Sequence, residues 1–549
     1  MQVNLTRANM LLDDLVQTSK RVAQTSSRRA KIDLLAALLK RATPAEIETA
    51  IAFLSGGLRQ GRIGVGYATL EAARAARAAD PGGGGGATPR GSLELVDVDA
   101  LLERLTHTTG KGSTQAKERL LGELFAGATP QEQEFLFRLL IGELRQGALE
   151  GLMTEAVARA APPPGLDPDA VRRAAMLGGG DLGAVARAAL TEGAAGLARF
   201  RVQLYRPIQP MLAQAAESVQ DALTQVGEAA FEYKLDGARI QVHKAGDEVR
   251  VFSRLLNDVT VAVPEVVTAA RAFAAREAIL DGEAIALRPD GTPLPFQVTM
   301  RRFGRKLDVD RLRAGLPLAS FYFDLLYADG KVLLDEPYTG RFAALAEVVP
   351  AEHRMPRIVT TDAREAAAFF EQAIAAGHEG LMAKALDARY VAGGRGGAAW
   401  LKVKRAHTLD LVVLAAEWGH GRRRGWLSNL HLGARDPDAG GFVMLGKTFK
   451  GMTDELLAWQ TARLQELETS RDRFTVYVRP ELVVEVAFDG IQSSRQYPGG
   501  LALRFARVKR YRPDKGPDAA DTIATARALH ERGNPPPANP QATRHRPRL

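Results

Sequence analysis

Over the first ~200 residues apolar side chains recur three and four positions apart, as at Ile32, Leu34, Leu35, Leu38 and Leu39, with charged residues between them. β-Branched clusters are few there, and the spacing predicts a helical region. From about residue 203 the pattern shortens to strand-like runs, Phe231–Lys234, Arg239–His243, Val249–Phe252 and Ala278–Leu280, separated by turn formers. This predicts an α+β region. After Arg405 come the runs Leu411–Leu414, Phe442–Leu445 and Leu482–Val486, which predict a β-barrel of about 120 residues. The expected division is a helical unit at 1–202, an α+β unit at 203–405, a barrel at 406–530 and a tail at 531–549. The tail is proline-rich and basic, too poor in apolar residues to fold, and is expected to be disordered.

The helical region repeats itself. A shift of 86 positions lays Ala30-Lys31 on Ala116-Lys117, Leu34-Leu35 on Leu120-Leu121 and Ala42-Thr43-Pro44 on Ala128-Thr129-Pro130. Glu46 then falls on Glu132, and Leu58-Arg59-Gln60-Gly61 on Leu144-Arg145-Gln146-Gly147. Each Thr-Pro-x-Glu predicts a helix start: threonine as cap, proline in the first turn, glutamate reaching back to the cap amide. Each helix is expected to run to Leu-Arg-Gln-Gly, where glycine supplies a left-handed stop. Arg59 and Arg145 would then sit at matching helix ends. Singly, each would merely offset the helix dipole; their repetition makes them candidates for paired contacts to DNA phosphates.

Composition narrows the chemistry. Among 549 residues there is no cysteine, which excludes disulfides, thiolate metal sites and cysteine nucleophiles. Lys and Arg number 73 against 64 Asp and Glu, a net charge of +9 that suits a polyanionic partner. Asp13 and Asp14 interrupt what a signal peptide would need, and no apolar run reaches 18 residues, so a cytoplasmic protein without membrane contact is expected, nucleoid-associated if bacterial.

The candidate chemistry centres on Glu232-Tyr233-Lys234-Leu235-Asp236-Gly237-Ala238-Arg239, a strand-end lysine beside a tight turn with an anion-binding arginine close by. Alone it would read as a hairpin with a surface lysine. It is followed in order by Ser253-Arg254, Leu280-Asp281-Gly282-Glu283, Tyr322 to Tyr327, Glu379 to Lys384, Trp400 to Lys404 and Arg504 to Lys515. Strand alternation puts Lys402 and Lys404 on one face, able to line one pocket wall.

This ordered set resembles the nucleotidyltransferase motifs of ATP-dependent DNA ligases, and the helical region, with its Gly180-Asp181-Leu182-Gly183, is similar to the DNA-binding domain of their large three-domain forms. The resemblance implies a multidomain chain: an all-α N-terminal DNA-binding domain, an α+β adenylation domain and an OB-fold β-barrel. It implies ATP as donor, Mg²⁺ or Mn²⁺, and nicked duplex DNA as substrate for a monomer. Lys234 matches the nucleophile that takes up AMP. A free lysine, with a pKa of about 10.4, is almost all ammonium at neutral pH, so neighbouring cations such as Lys402 and Lys404 are expected to favour the reactive amine. By the same resemblance Glu232 reads adenine, Phe323 stacks on it, and Arg239 and Glu283 lie near ribose and phosphates. Lys402 and Lys404 stabilise charge on the transferred phosphate, Arg254 meets the 5′-phosphate and AMP, and Arg395 has a phosphate role. Glu283 and Glu379 face the metal. Arg507, Arg512, Asp514 and Lys515 orient the leaving pyrophosphate.

Two glycine-bearing segments are decoys. Gly110-Lys111-Gly112-Ser113-Thr114 lacks the earlier glycine and the preceding strand of a P-loop, and the run Gly82 to Gly86 lacks the lysine. The competing readings are an RNA ligase or capping-type transferase, which would prefer RNA ends or GTP, and a non-catalytic DNA-end binding scaffold.

Overall fold

The computed structural model describes residues 9–61, 63–79, 93–110, 112–144, 150–303, 315–391, 399–405, 407–419 and 423–533. Among the described residues the N-terminal region consists of helices α1 (Leu12–Gln24), α2 (Arg28–Leu39), α3 (Ile47–Leu54), α4 (Tyr67–Ala79), α5 (Leu95–His107), α6 (Ser113–Gly127), α7 (Pro130–Leu140), α8 (Glu150–Ala160), α9 (Pro168–Leu177) and α10 (Leu182–Leu197). The 86-residue shift carries α2 onto α6 and α3 onto α7. The capping carboxylates act as the sequence predicts, Glu46 and Glu132 accepting from the amides of Thr43 and Thr129 at 2.7 and 2.8 Å. In the first copy the other Glu46 oxygen is taken by the Met10 amide at 2.6 Å, and the helix proper starts only at Ile47.

The helix ends differ from expectation. α3 and α7 do not continue to Leu-Arg-Gln-Gly but stop at Gly56 (φ 80°) and Gly142 (φ 73°). The following amides reach back five residues, Gly57 to the Ala52 carbonyl at 2.9 Å and Glu143 to that of Arg138 at 2.8 Å. Leu58 and Leu144 then fold back against the helical core. That contact completes the C-terminal motif, yet in the sequence it mimics one further helical turn.

The central region holds two sheets. β1 (Gln214–Ala216), α11 (Val219–Val226), β2 (Ala229–Lys234), β3 (Ala238–Ala245), β4 (Glu248–Ser253), α12 (Pro264–Arg271), β5 (Glu277–Ala286) and α13 (Phe296–Phe303) come first. β6 (Leu318–Ala328), β7 (Lys331–Val332), α14 (Tyr338–Val348), β8 (Arg357–Thr360), α15 (Ala363–Ala375), β9 (Gly380–Ala385) and β10 (Trp400–Lys404) complete it. One sheet has the order β1-β10-β9-β2-β8 and the other β4-β3-β5-β6-β7. The first buries Phe231, Leu381, Ala383, Leu401 and Val403 under α11 and α15; the second buries Ile240, Val242, Val251, Leu280 and Leu325 against α12 and α14. Their remaining faces are turned toward each other.

The C-terminal region comprises β11 (His407–Trp418), β12 (Leu427–Arg435), β13 (Phe442–Thr448), α16 (Asp454–Glu466), β14 (Glu468–Arg471), β15 (Thr475–Val478), β16 (Val483–Phe488), β17 (Gly490–Ser493), β18 (Leu501–Arg504), β19 (Arg507–Tyr511) and α17 (Ile523–Gly533). β11 pairs with β12 along one edge; along the other its first half takes β16 and its second half β15. An irregularity between Val413 and Ala415 divides the two halves. The sheet therefore curls, but no pairing among the described residues closes it into the expected barrel. β17 and β18 form a separate hairpin, and Leu457 and Leu464 of α16 fill the base. No helix among the described residues is long and apolar enough to cross a membrane.

Candidate active site

Register builds the site. β2, β9 and β10 lie side by side with Lys234 opposite Gly380 and Gly380 opposite Lys404; in the next row Glu232, Met382 and Lys402 align, and then Ala230, Lys384 and Trp400. Directly opposed residues share a face, so Lys234, Lys402, Lys404, Glu232 and Lys384 all stand on the wall that faces the second sheet. On that second sheet Arg239 lies opposite Glu283, and Glu283 opposite Phe321. The turn between Lys234 and Arg239 needs Gly237, since a Cβ there would stand 2.6 Å from the Ala284 carbonyl oxygen and 2.9 Å from Glu283 Cγ.

At the mouth of the cleft the Lys234 amine lies 2.6 Å from Glu379 Oε2, and Lys404 meets the same oxygen at 3.0 Å. Burial opposes the charge on Glu379, but the two lysines more than offset it and hold the carboxyl well below its ordinary range. A carboxylate thus stands against Lys234, with Lys404, one of the cations expected beside it, on the same oxygen. Glu283 is in the opposite situation: desolvation pushes it up to about 7 although Lys234 and Arg239 act to lower it. Among the described residues no hydrogen bond or ion pair reaches its carboxyl.

Deeper in, Glu232 is buried and bonded on both oxygens, to Lys384 Nζ at 2.6 Å and to the Tyr338 hydroxyl. Lys384 in turn lies 4.6, 4.7 and 4.5 Å from the ring centres of Phe323, Tyr338 and Trp400. Arg239 grips Asp281 with two hydrogen bonds at 3.0 and 2.5 Å and lies 5.5 Å from the Phe323 ring centre. Desolvation alone would lower Arg239, yet Asp281 keeps it firmly charged.

The C-terminal region closes over this cleft. Arg504, at the end of β18, donates to both oxygens of Asp236 at 2.8 and 3.4 Å. Asp489 accepts from Lys404 at 3.0 Å and lies 3.7 Å from Arg507. Burial raises Asp236 despite the Arg504 contact, and Glu379 adds to the rise.

Several predicted residues stand elsewhere. Arg254 is exposed in the turn after β4 and forms no ion pair among the described residues. Arg512 and Lys515 both bind Asp410 of β11, at 2.9 and 2.5 Å, and Arg512 also grips Asp514 at 2.6 Å. In this arrangement they are not in the cleft. Arg59 is held by Asp99 at 2.9 Å and Glu103 at 2.6 Å, in the loop beyond the α3 stop. Its guanidinium is paired within the helical region in this arrangement. Arg145 and Arg395 lie outside the described residues. Among the described residues no cluster of three metal-ligating side chains occurs. Lys384, Asp281 and Asp236 lay inside quoted motifs without being given a role; Tyr338, Tyr390 and Asp489 carry no local signal at all.

Comparison with known proteins gives a consistent answer. Family descriptions match over residues 69–158 (DNA ligase N terminus), 210–404 (ATP dependent DNA ligase domain) and 423–515 (ATP dependent DNA ligase C terminal region). Proteins named Probable DNA ligase from Anaeromyxobacter dehalogenans strain 2CP-1 and Mycobacterium marinum are 62% and 55% identical, each over 95% of this chain and 100% of the relative. One from Sorangium cellulosum is 58% identical over 95% of both. The solved structure Pmar-Lig_PreS3 shares the fold, with a TM-score of 0.59 and 17% identity over 91% of this chain and 99% of that one.

Proposed function

The chain belongs to the ATP-dependent DNA ligases, and from that premise we propose that Lys234 carries the adenylate with which it seals 5′-phosphate/3′-hydroxyl nicks in duplex DNA. The observation that supports this most is the cross-strand row Lys234, Gly380 and Lys404, with Glu379 within 3.0 Å of both amines, facing Glu283 and Arg239 across the cleft. In the first step the Lys234 nitrogen bonds to the α-phosphorus of ATP while the bond to the bridging oxygen breaks and pyrophosphate leaves; the amine proton passes to solvent. AMP then moves to the 5′-phosphate, and the 3′-hydroxyl displaces it.

In this arrangement the Lys234 amine is paired with Glu379, and it must leave that carboxylate before it can attack. Lys402 and Lys404 share its wall and suit charge on the transferred phosphate. Glu232, paired with Lys384, presents carboxylate acceptors, which fits the exocyclic amine of adenine and opposes the oxygen of guanine. Phe323 and Arg239 line the same space, and we assign them to the base and to ribose and phosphate. Arg254, exposed in the turn after β4, is assigned to the 5′-phosphate.

A divalent ion fits here, since Mg²⁺ needs only one or two carboxylates beside phosphates and water. Glu283, desolvated and without a hydrogen-bond or ion-pair partner among the described residues, would hold it, joined by Glu379 once Lys234 has left; bound there it would neutralise phosphate charge. Arg507, Arg512, Asp514 and Lys515 would meet pyrophosphate in a second placement of the C-terminal region, after the Asp236 and Asp489 contacts part. We further propose that the enzyme acts as a monomer. The test is incubation with α-labelled ATP and magnesium, then nicked DNA: the label should appear on Lys234 and leave as the strand is joined. Labelling that persists in Lys234→Ala, or that GTP competes away, would overturn the assignment.

A further inference from the structure

The segment joining α10 to β1 has a period of three. Tyr205, Ile208 and Met211 point their backbones at β3, while Arg206 and Gln209 turn to the helical domain: Arg206 donates to the Gly178 carbonyl at 3.3 Å, the Gln209 amide to that of Met176 at 3.2 Å, and the Gln209 side chain to Glu150 at 3.3 Å. Pro207 and Pro210 suit an extended strand of that period. Three alternate side chains of β3 receive the other edge. Arg239 donates to the Met211 carbonyl at 2.7 Å. Gln241 takes both polar groups of Ile208, accepting its N–H at 2.7 Å and donating to its carbonyl at 3.0 Å. His243 Nδ1 accepts the Tyr205 N–H at 2.9 Å.

The donors and acceptors close consistently. With Nδ1 accepting, the neutral imidazole carries its proton on Nε2, which lies 2.9 Å from Gln241 Oε1. Burial pushes His243 down to about 3, so it stays neutral at every working pH. Tyr205 adopts φ 66°, a conformation L-residues rarely take, and the His243 contact is made by its amide. Met176 and Leu177 of the helical domain share an apolar cluster with Ile208, Met211, Tyr390 and Trp400. The connector is therefore a strap, stitched to the adenylation domain along one edge and to the DNA-binding domain along the other.

We infer that the polar ladder Arg239-Gln241-His243 sets the register of the DNA-binding domain against the cleft, so that Gln241 and His243 are positioning residues for the DNA-dependent steps of sealing. The inference rests on the ligase reading above. Arg239, the rung nearest the cleft, is shared with the nucleotide site, whereas Gln241 and His243 make their side-chain hydrogen bonds to the strap and to each other, the His243 ring also packing edge-on against Phe252 at 5.0 Å.

The test separates the steps. Full-length His243→Ala and Gln241→Leu are compared with wild type for labelling by α-labelled ATP without DNA, then for sealing of a nicked duplex across a range of DNA concentrations. Labelling should stay within about twofold of wild type, because it needs no DNA, and would show that the cleft is folded. Sealing should fall by about ten- to a hundredfold, with the KM for nicked DNA raised, as expected when a bound nick is misplaced by an ångström or so. His243→Asn, which keeps an acceptor for the Tyr205 amide, should restore most of it. Wild-type sealing in both variants would overturn the inference, as would equal losses of labelling and sealing or failure of the asparagine to rescue. Absence of label in the wild type would instead overturn the ligase reading, an outcome no strap defect imitates.

Discussion

Glu283→Gln should make the adenylation domain more stable while removing its activity. In the native protein desolvation raises this carboxyl from 4.5 to about 7. At about 1.4 kcal/mol per pKa unit, that amounts to about 3 kcal/mol of folding free energy set against the ionised group. The sign follows from proton counts. Below 4.5 the side chain is protonated in both states and costs nothing. As pH rises from 4.5 to 7 the unfolded chain releases its proton first, so native stability falls, and above 7 the whole penalty is present. Glutamine carries no charge to desolvate. The variant should match wild type near pH 4.5, exceed it by less than about 1 kcal/mol at pH 5, and exceed it by about 3 kcal/mol at pH 8. Because the chain is multidomain, a single melting temperature would blur this; hydrogen exchange of β5 and β6 amides reads the local opening directly. A gap that does not grow with pH, or a variant less protected than wild type at pH 8, would refute the reasoning. DNA-free labelling of the variant should be lost, since the only uncommitted carboxylate of the cleft among the described residues has gone.

Arg504→Ala leaves Asp236 half-buried without its guanidinium and should free the C-terminal region from the cleft, costing about 2 kcal/mol and raising the open population roughly thirtyfold, readable by energy transfer between dyes on the two regions; an unchanged distance distribution would show that the pair does not hold the closure. Gly56→Ala places a Cβ 2.9 Å from the Leu144 carbonyl oxygen at φ 80°, so the helical domain should lose about 1–2 kcal/mol or more while DNA-free labelling is untouched. Arg59→Ala, removing partly exposed pairs to Asp99 and Glu103, should cost at most about 1 kcal/mol of helical-domain stability and leave the salt dependence of DNA binding unchanged; a flatter slope would restore the phosphate reading of that residue.

What the chain writes locally is legible without a fold. Periodicity marked the helical, mixed and strand-rich regions because burying one face of an element demands it, and the 86-residue repeat carried its capping glutamates with it. The lysine, its Asp-Gly turn and the alternating Lys402 and Lys404 were readable because each depends on neighbours one to five residues away. The helix stops were misread because Leu58 and Leu144 keep the apolar spacing after the backbone has turned left-handed. Tertiary structure alone decided what faces each charge. Lys234 meets Glu379 across 145 residues only through the β2–β9 register, and Asp236 meets Arg504 only because a distant hairpin folds over the cleft. Arg59 was drawn to acids on α5 and Arg512 to Asp410, partners no local pattern announces. Charge interactions act through space and depend on how far water is excluded, and neither quantity exists until strands have paired and sheets have closed on each other.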